Sequence, residues 1–181
     1  MKLSNSDVEY LMAQQEQLNS KFSVNRWDDD LVETALICEY AEFMNEIQTQ
    51  WKNWKKVEDN IPNAKIEFID CVHFMLSLLL IRMENDPVGA WVTVELNTPP
   101  HRDFLRRINR NFLEFVDARE TFPLSKTLFI QFVETVTEFL GMDESEFFRY
   151  FETKKRINEE RAAGGYSTGE YANKETEQQR F

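Results

Sequence analysis

An all-α helical bundle is the class this sequence predicts, and three observations predict it. Glycine and proline are scarce, 5 of each in 181 residues, whereas phenylalanine is abundant at 15. Such a composition suits long helices rather than a turn-rich β sandwich. The run "KIEFIDCVHFMLSLLLI" is apolar almost all round, the mark of a helix covered by protein on every side. Helix start and stop signals also recur along the whole chain.

The elements follow in order. Ser6-Asp7-Val8-Glu9 reads as a capping box opening a first helix that runs to about Phe22. Asp28, Asp29 and Asp30 crowd the start of a second helix, where acidic side chains favour the positive end of the dipole; it continues towards Trp51. "WKNWKKVEDNIPN" is a polar, proline-containing linker, and a third helix spans about Asn63 to Met83. In "NDPVGAWVTVELNTPPH" the β-branched "AWVTVEL" has no partner strand, so the segment reads as loop or helix edge. Two helices come next, from about Arg102 to Glu120 and from Ser125 to Leu140, with Gly141 as the stop. Asp143 and Glu146 cap a last helix to about Ala162, followed by the glycine-bearing loop "AAGGYSTGEY". Residues 1–171 thus form one domain, and 172–181 a polar, mobile tail.

Charge and cysteine usage narrow the function classes. A net charge of −11 argues against a general nucleic-acid binder, which needs a basic surface. An anionic small substrate is still admissible if metal ions or local basic groups offset the repulsion. Cys38 and Cys71 fall inside predicted core helices and read as buried, reduced thiols, which places the chain in the cytoplasm without a disulfide framework. No signal-peptide pattern precedes the first helix, and the apolar run from Cys71 to Ile81 is too short to span a bilayer. A soluble protein with no membrane partner is expected.

The chemistry lies in two acid pairs. "ICEYAEFMNE" sets Glu39, Glu42 and Glu46 together at the border of an apolar face, with no Lys or Arg between Leu31 and Trp51. The third helix has four polar exceptions, Glu67, Asp70, His73 and Ser77, which form one stripe on the helical wheel. Two helices thus each carry acids at i, i+3, roughly 5–6 Å apart between Cβ atoms. Joined by a short linker, the helices should be antiparallel neighbours with their acidic faces meeting. A solvated face is the ordinary reading of either pair alone; it suits Glu39 and Glu42 but not Glu67 and Asp70, which are surrounded by core residues. Two like charges ~4 Å apart cost about 4 kcal/mol at an effective dielectric near 20, so four in a dry interior demand compensation. Hard oxygen ligands suit Mg²⁺, which readily accepts phosphate oxygens as further ligands. A di-iron bundle would need Glu-x-x-His from two helices; only His73 stands at such a spacing, and the first helix offers no histidine.

Other blocks have readings of their own. Lys154, Asn158 and Arg161 fall at i, i+4, i+7 and can line up on a phosphate chain, or simply form a solvated helix end. Gln15 and Asn19 at i, i+4 can present their amides side by side to a polar ligand, or be surface polar residues. Trp51 and Trp54 can pack in the core or stack on a base.

Glu39-x-x-Glu42 followed by Glu67-x-x-Asp70 resembles the signature of the all-α NTP pyrophosphatase superfamily, which includes the MazG-like proteins. "QEQLN" (Gln15 to Asn19), "WKNWK" (Trp51 to Lys55), "IEFIDCVHFMLSLLL" (Ile66 to Leu80) and "KKRINEERAAGGYSTGEY" (Lys154 to Tyr171) look like its dimeric dUTPase branch. Asp86 to Met142 carries no matching motif. Lys155 stands where the family usually has Asn, and Ala162 where it usually has Gln.

The resemblance implies a homodimeric enzyme that hydrolyses dUTP, with dUDP as a second candidate substrate, to dUMP with Mg²⁺, two or more ions per site. For dUTP it also implies release of pyrophosphate and attack at the β-phosphorus. By that resemblance Glu39, Glu42, Glu67 and Asp70 bind the metal, with Glu39 orienting the attacking water. Lys154, Asn158, Arg161 and Tyr166 hold phosphates as the C-terminal loop closes, residues 151–171 being the substrate-binding helix end and loop. Gln15, Asn19, Trp51 and Trp54 frame the base. A helix as apolar as the third also suggested a dimer, since a small monomer covers it with difficulty. Two alternatives stand beside this reading: the same chemistry on dCTP or another dNTP, since phage dCTP pyrophosphatases share much of the pattern, and a non-catalytic helical dimer acting as a regulatory protein.

Overall fold

A computed structural model of the chain describes residues 1–22, 27–86, 103–119, 121–164 and 180–181. They form six α-helices: α1 (Asn5–Asn19), α2 (Asp29–Glu46), α3 (Ile61–Asn85), α4 (Phe104–Asp117), α5 (Phe122–Leu140) and α6 (Glu144–Ala163). No strand occurs among the described residues, and the all-α class holds. The expectations for "AWVTVEL", for Tyr166 and Tyr171 and for most of the tail concern residues outside those described.

The caps explain the helix boundaries and shift several from where local sequence put them. The first capping box is Ser4 with Asp7, not Ser6 with Glu9: Ser4 Oγ accepts from Asp7 N at 3.2 Å and Asp7 Oδ2 accepts from Ser4 N at 2.7 Å. The Ser4 hydroxyl, 2.6 Å from Asp7 Oδ2, and then the Ser4 backbone N–H hold the Asp7 carboxyl below its usual pKa. Both boxes satisfy the pattern, but tertiary contacts favour the earlier one: Leu3 is buried, and its N–H donates to Glu134 of α5 at 3.2 Å. Asp28 caps α2 by accepting from the backbone of Asp30 and Leu31. α2 ends at Glu46, short of Trp51, and a 3-10 turn over Gln48–Gln50 follows. Asn60 caps α3 with Pro62 in its first turn, and Pro123 similarly opens α5 earlier than Ser125. Gly141 ends α5 at φ 64°, in the left-handed region that glycine accepts without strain. Asp143 caps α6 as the sequence predicts.

α3 is the central rod. It packs along α2 and also meets α1, α5 and α6. The α2–α3 pair is antiparallel, because contacts join opposite ends: Asn60 N donates to Glu46 O at 2.8 Å, and Arg82 Nε lies 3.8 Å from Asp29 Oδ1. Phe68 gathers the aromatic core, its ring centroid 6.3 Å from Phe43 of α2, 6.0 Å from Phe132 of α5 and 6.1 Å from Phe147 of α6. Most of the apolar surface of α3 is covered within the chain, while Phe74, Leu80, Ile81 and Met83 are only half-buried. Cys71 is buried as expected, but Cys38 is exposed on α2. At the C-terminus, Phe181 packs its ring 4.9 Å from Tyr150, and Arg180 pairs with Glu160 of α6 at 2.9 Å. No helix of the described residues is long and apolar enough to cross a membrane.

Candidate active site

The polar stripe on α3 opens into a cavity of about 460 Å³ rather than a sealed interior. α3 contributes Asn63, Ile66, Glu67, Asp70, His73, Phe74 and Ser77; α2 contributes Glu39 and Glu42; α1 contributes Gln15, Leu18 and Asn19. Lys154, Asn158 and Arg161 come from one face of α6, and Phe22 and Trp27 complete the described wall. Four helices thus converge through residues that are neighbours only because each helix repeats about every 3.6 residues.

One end of the cavity is acidic. Carboxylate oxygens of Glu39, Glu67 and Asp70 lie within 4.8 Å of one another. Glu42 lines the same cavity but is solvent-exposed, and Glu46 is not part of its wall. The three convergent acids are half-buried, so the expected dry carboxylate core is instead a wall open to the cavity. Their negative field still reaches inward. Burial first, and then Asp70, Glu39 and Glu67, push the Cys71 thiol well above its ordinary pKa. Lys154 Nζ sits 2.6 Å from Asp70 Oδ2 and carries positive charge to the edge of the cluster. Arg161 Nη1 donates to Asn158 Oδ1 at 3.1 Å, so these two side chains brace each other on the α6 face.

The other end is a network of amides. Gln15 is only 3% exposed, which corrects its reading as a surface residue. Its Oε1 lies 2.6 Å from His73 Nδ1, and its Nε2 donates to Asn19 Oδ1 at 2.8 Å and Ser77 Oγ at 3.1 Å. Asn19 Nδ2 also donates to Ser77 Oγ, at 3.2 Å. His73 stacks on Phe151 at 4.7 Å. Burial, with Lys154 and Lys155 adding to it, pushes its pKa down to about 3, so the ring is neutral at physiological pH.

The structure brings together Gln15, Asn19, Glu39, Glu42, Glu67, Asp70, Lys154, Asn158 and Arg161. It does not bring Trp51 and Trp54 to that wall. Trp51 Nε1–H is tied to the Met44 carbonyl at 2.8 Å, and Trp54 is 71% exposed, because α2 stops before reaching them. Trp27 and Phe22, edge to face at 6.2 Å, line the cavity together with Phe74. Sequence reasoning overlooked both, since they lie in an irregular connection where no periodicity marks a buried face. Tyr166 falls outside the described residues. The two departures from the family pattern do not line the cavity: Lys155 donates to Gln14 Oε1 at 2.7 Å on another face of α6, and Ala162 is not part of the wall.

Residues 7–166 match the model of a family described as dUTPase. No curated protein matches the chain.

Proposed function

The chain belongs to the dUTPase family and is a dUTP diphosphatase, and from that premise we propose that this cavity hydrolyses dUTP to dUMP and pyrophosphate with Mg²⁺. The observation that carries the proposal is the convergence of Glu39, Glu67 and Asp70 beside Lys154, with Arg161 and Asn158 on the same wall. An all-oxygen carboxylate set at this spacing fits a hard divalent cation, and Glu42 at the exposed edge can complete it. Mg²⁺ held there, as two or more ions, supplies charge neutralisation and Lewis-acid activation of the phosphates.

The chain's own residues do the rest. Glu39 orients the attacking water and accepts its proton as the water oxygen bonds to phosphorus. With attack at the β-phosphorus, its bond to the oxygen bridging it to the α-phosphorus breaks, dUMP leaves with that oxygen, and the pyrophosphate carries the oxygen of the water. Lys154 and Arg161 stabilise charge accumulating on the phosphate oxygens, and Asn158 holds Arg161 in place. Tyr166, a few residues after Arg161 in the sequence, is a further phosphate-binding residue in this proposal, and residues 1–171 act as a single domain. At the far end Gln15 and Asn19 frame the base, Gln15 by holding the Asn19 amide that meets its edge, while Trp27 and Phe22 offer it an aromatic wall. Free thiols at Cys38 and Cys71 suit the reducing cytoplasm. Exposed Leu31, Ile37 and Leu113 offer apolar surface on which a second copy can pair.

The test is a dNTP panel with pyrophosphate detection, with and without EDTA, on wild type and Glu67→Gln. The proposal expects dUTP to be the preferred substrate, EDTA to abolish turnover, and Glu67→Gln to lower kcat by roughly a hundredfold or more. Turnover that persists in EDTA, or a Glu67→Gln enzyme as active as wild type, overturns it. Selective hydrolysis of dCTP would replace the substrate and keep the mechanism.

A further inference from the structure

An amide side chain does not by itself distinguish uracil from cytosine. Uracil presents a carbonyl acceptor beside an N3–H donor; cytosine presents an amino donor beside an N3 acceptor, the same pair in reverse order. A carboxamide free to rotate by half a turn serves either base. Discrimination therefore requires something that fixes which end of the amide is nitrogen and which is oxygen.

The structure contains such a device. Ser77 Oγ–H has the His73 backbone carbonyl 3.2 Å away, an acceptor that cannot change sense. Asn19 Oδ1 also lies 3.3 Å from Ser77 Oγ; with the hydrogen on the nearer carbonyl, Ser77 Oγ is an acceptor towards side chains and takes Gln15 Nε2 at 3.1 Å and Asn19 Nδ2 at 3.2 Å. Gln15 must then turn Oε1 to His73 Nδ1, which must carry its hydrogen. His73 Nε2 is correspondingly left as a buried lone pair without a hydrogen-bond partner. Asn19 Oδ1 accepts the second Gln15 hydrogen at 2.8 Å. By count, Asn19 retains one Nδ2 hydrogen and one Oδ1 lone pair, in a fixed order.

We propose that Ser77 and His73 are positioning residues that set base specificity, by locking the amides of Gln15 and Asn19 in the one orientation that matches uracil and opposes cytosine. The inference rests on the reading of this cavity as the dUTP site. A site built to hydrogen-bond one edge rejects the reversed edge strongly, because its buried polar groups are then left facing like partners. Releasing the lock weakens uracil binding and relieves the mismatch with cytosine.

The experiment compares wild type with Ser77→Ala, His73→Phe and His73→Asn. Phe keeps the stack on Phe151 and removes the Nδ1 donor, whereas Asn places an amide N–H near the Nδ1 position. Two quantities are read on folded protein: kcat/KM for dUTP and dCTP, and equilibrium binding of dUMP and dCMP without metal. Ser77→Ala and His73→Phe are expected to shrink the dUTP-to-dCTP ratio by about tenfold or more, through KM rather than kcat, with the same shift in the dUMP-to-dCMP affinity ratio. His73→Asn is expected to restore most of it. Ratios that stay within about twofold of wild type in both Ser77→Ala and His73→Phe overturn the proposal even where dUTP turnover is intact. Wild-type protein that turns over dUTP no better than dCTP defeats the dUTP-site reading itself, which the mutant ratios alone cannot do.

Discussion

Lys154 Nζ lies 2.6 Å from Asp70 Oδ2, with the lysine side chain 3% exposed and the carboxylate 14%. This pair ties α6 to α3 and places a fixed positive charge beside three convergent acids. A buried ion pair contributes little net stability when intact, but removing one partner strands the other. Lys154→Met keeps the apolar stem and deletes the charge. It is expected to lower kcat/KM for dUTP by roughly a hundredfold and to destabilise the protein by about 3–5 kcal/mol without metal. Because the acids then lack their internal counter-charge, Mg²⁺ should raise the melting temperature more in the variant than in wild type. Thermal melts with and without Mg²⁺ check this, and equal rises would contradict it.

Trp27 and Trp54 separate two accounts of the base pocket. Trp27 lines the cavity beside Phe22, whereas Trp54 stands 71% exposed and outside its wall. Aromatic contact with a base contributes roughly 1–3 kcal/mol. Trp27→Ala should therefore raise KM for dUTP by about tenfold with kcat little changed, and Trp54→Ala should leave both within about twofold. Steady-state kinetics on the two variants decide the matter; the opposite ranking would return the base to the "WKNW" segment.

What the sequence revealed and what it hid follow one physical division. The acid pairs, the α3 stripe and the Lys154, Asn158, Arg161 row were legible because i, i+3 and i, i+4 spacing is converted directly into a shared helix face. The antiparallel meeting of α2 and α3 followed from their short linker. Depth was not legible: whether Glu67 and Asp70 face a sealed core or a cavity depends on how far α1 and α6 stand off from α3. The first cap was ambiguous because Ser4 and Ser6 both head a box, and a distant contact to Glu134 favours one. Trp27 was hidden because an irregular connection carries no period. Arg82 was hidden for the opposite reason: a cation near a helix C-terminus has an ordinary dipole explanation, and nothing local marks it as buried.

Arg82 is in fact the largest fully buried side chain among the described residues and joins α3 to the α4–α5 turn. Its Nη1 donates to the Phe115 carbonyl at 2.9 Å and to Ser125 Oγ at 3.1 Å, and its guanidinium lies 4.8 Å from the Phe115 ring. Burial pulls its pKa down, while Asp29 and Glu33 pull it back up. Arg82→Met preserves the apolar stem but removes a donor to the buried Phe115 carbonyl and the positive charge 3.8 Å from the Asp29 carboxylate. A loss of about 3–5 kcal/mol is expected, hence a melting temperature lower by roughly 10 °C for a chain of this size. The cavity lies elsewhere on α3, so kcat of the folded fraction should be unchanged. Urea unfolding and kinetics below the transition measure the two effects separately.

His73 makes the protein's stability depend on pH in a defined window. Burial lowers its pKa to about 3, with Lys154 and Lys155 of α6 as the charged groups that reinforce the shift. In the unfolded chain the imidazole returns to about 6.5. Between those values the unfolded state binds the proton and the folded state does not, so this contribution is fully present above about pH 6.5 and is lost progressively as pH falls towards 3. From pH 7 to pH 5 the loss should amount to about 2 kcal/mol. His73→Asn has no ring to titrate while keeping a donor near Gln15. The difference in unfolding free energy between wild type and this variant, measured by urea denaturation at pH 7, 6 and 5, should therefore narrow or reverse as pH falls. Parallel pH profiles would mean that His73 takes up its proton in the folded state, in which case the neutral ring held between Gln15 and Phe151 would not describe the protein.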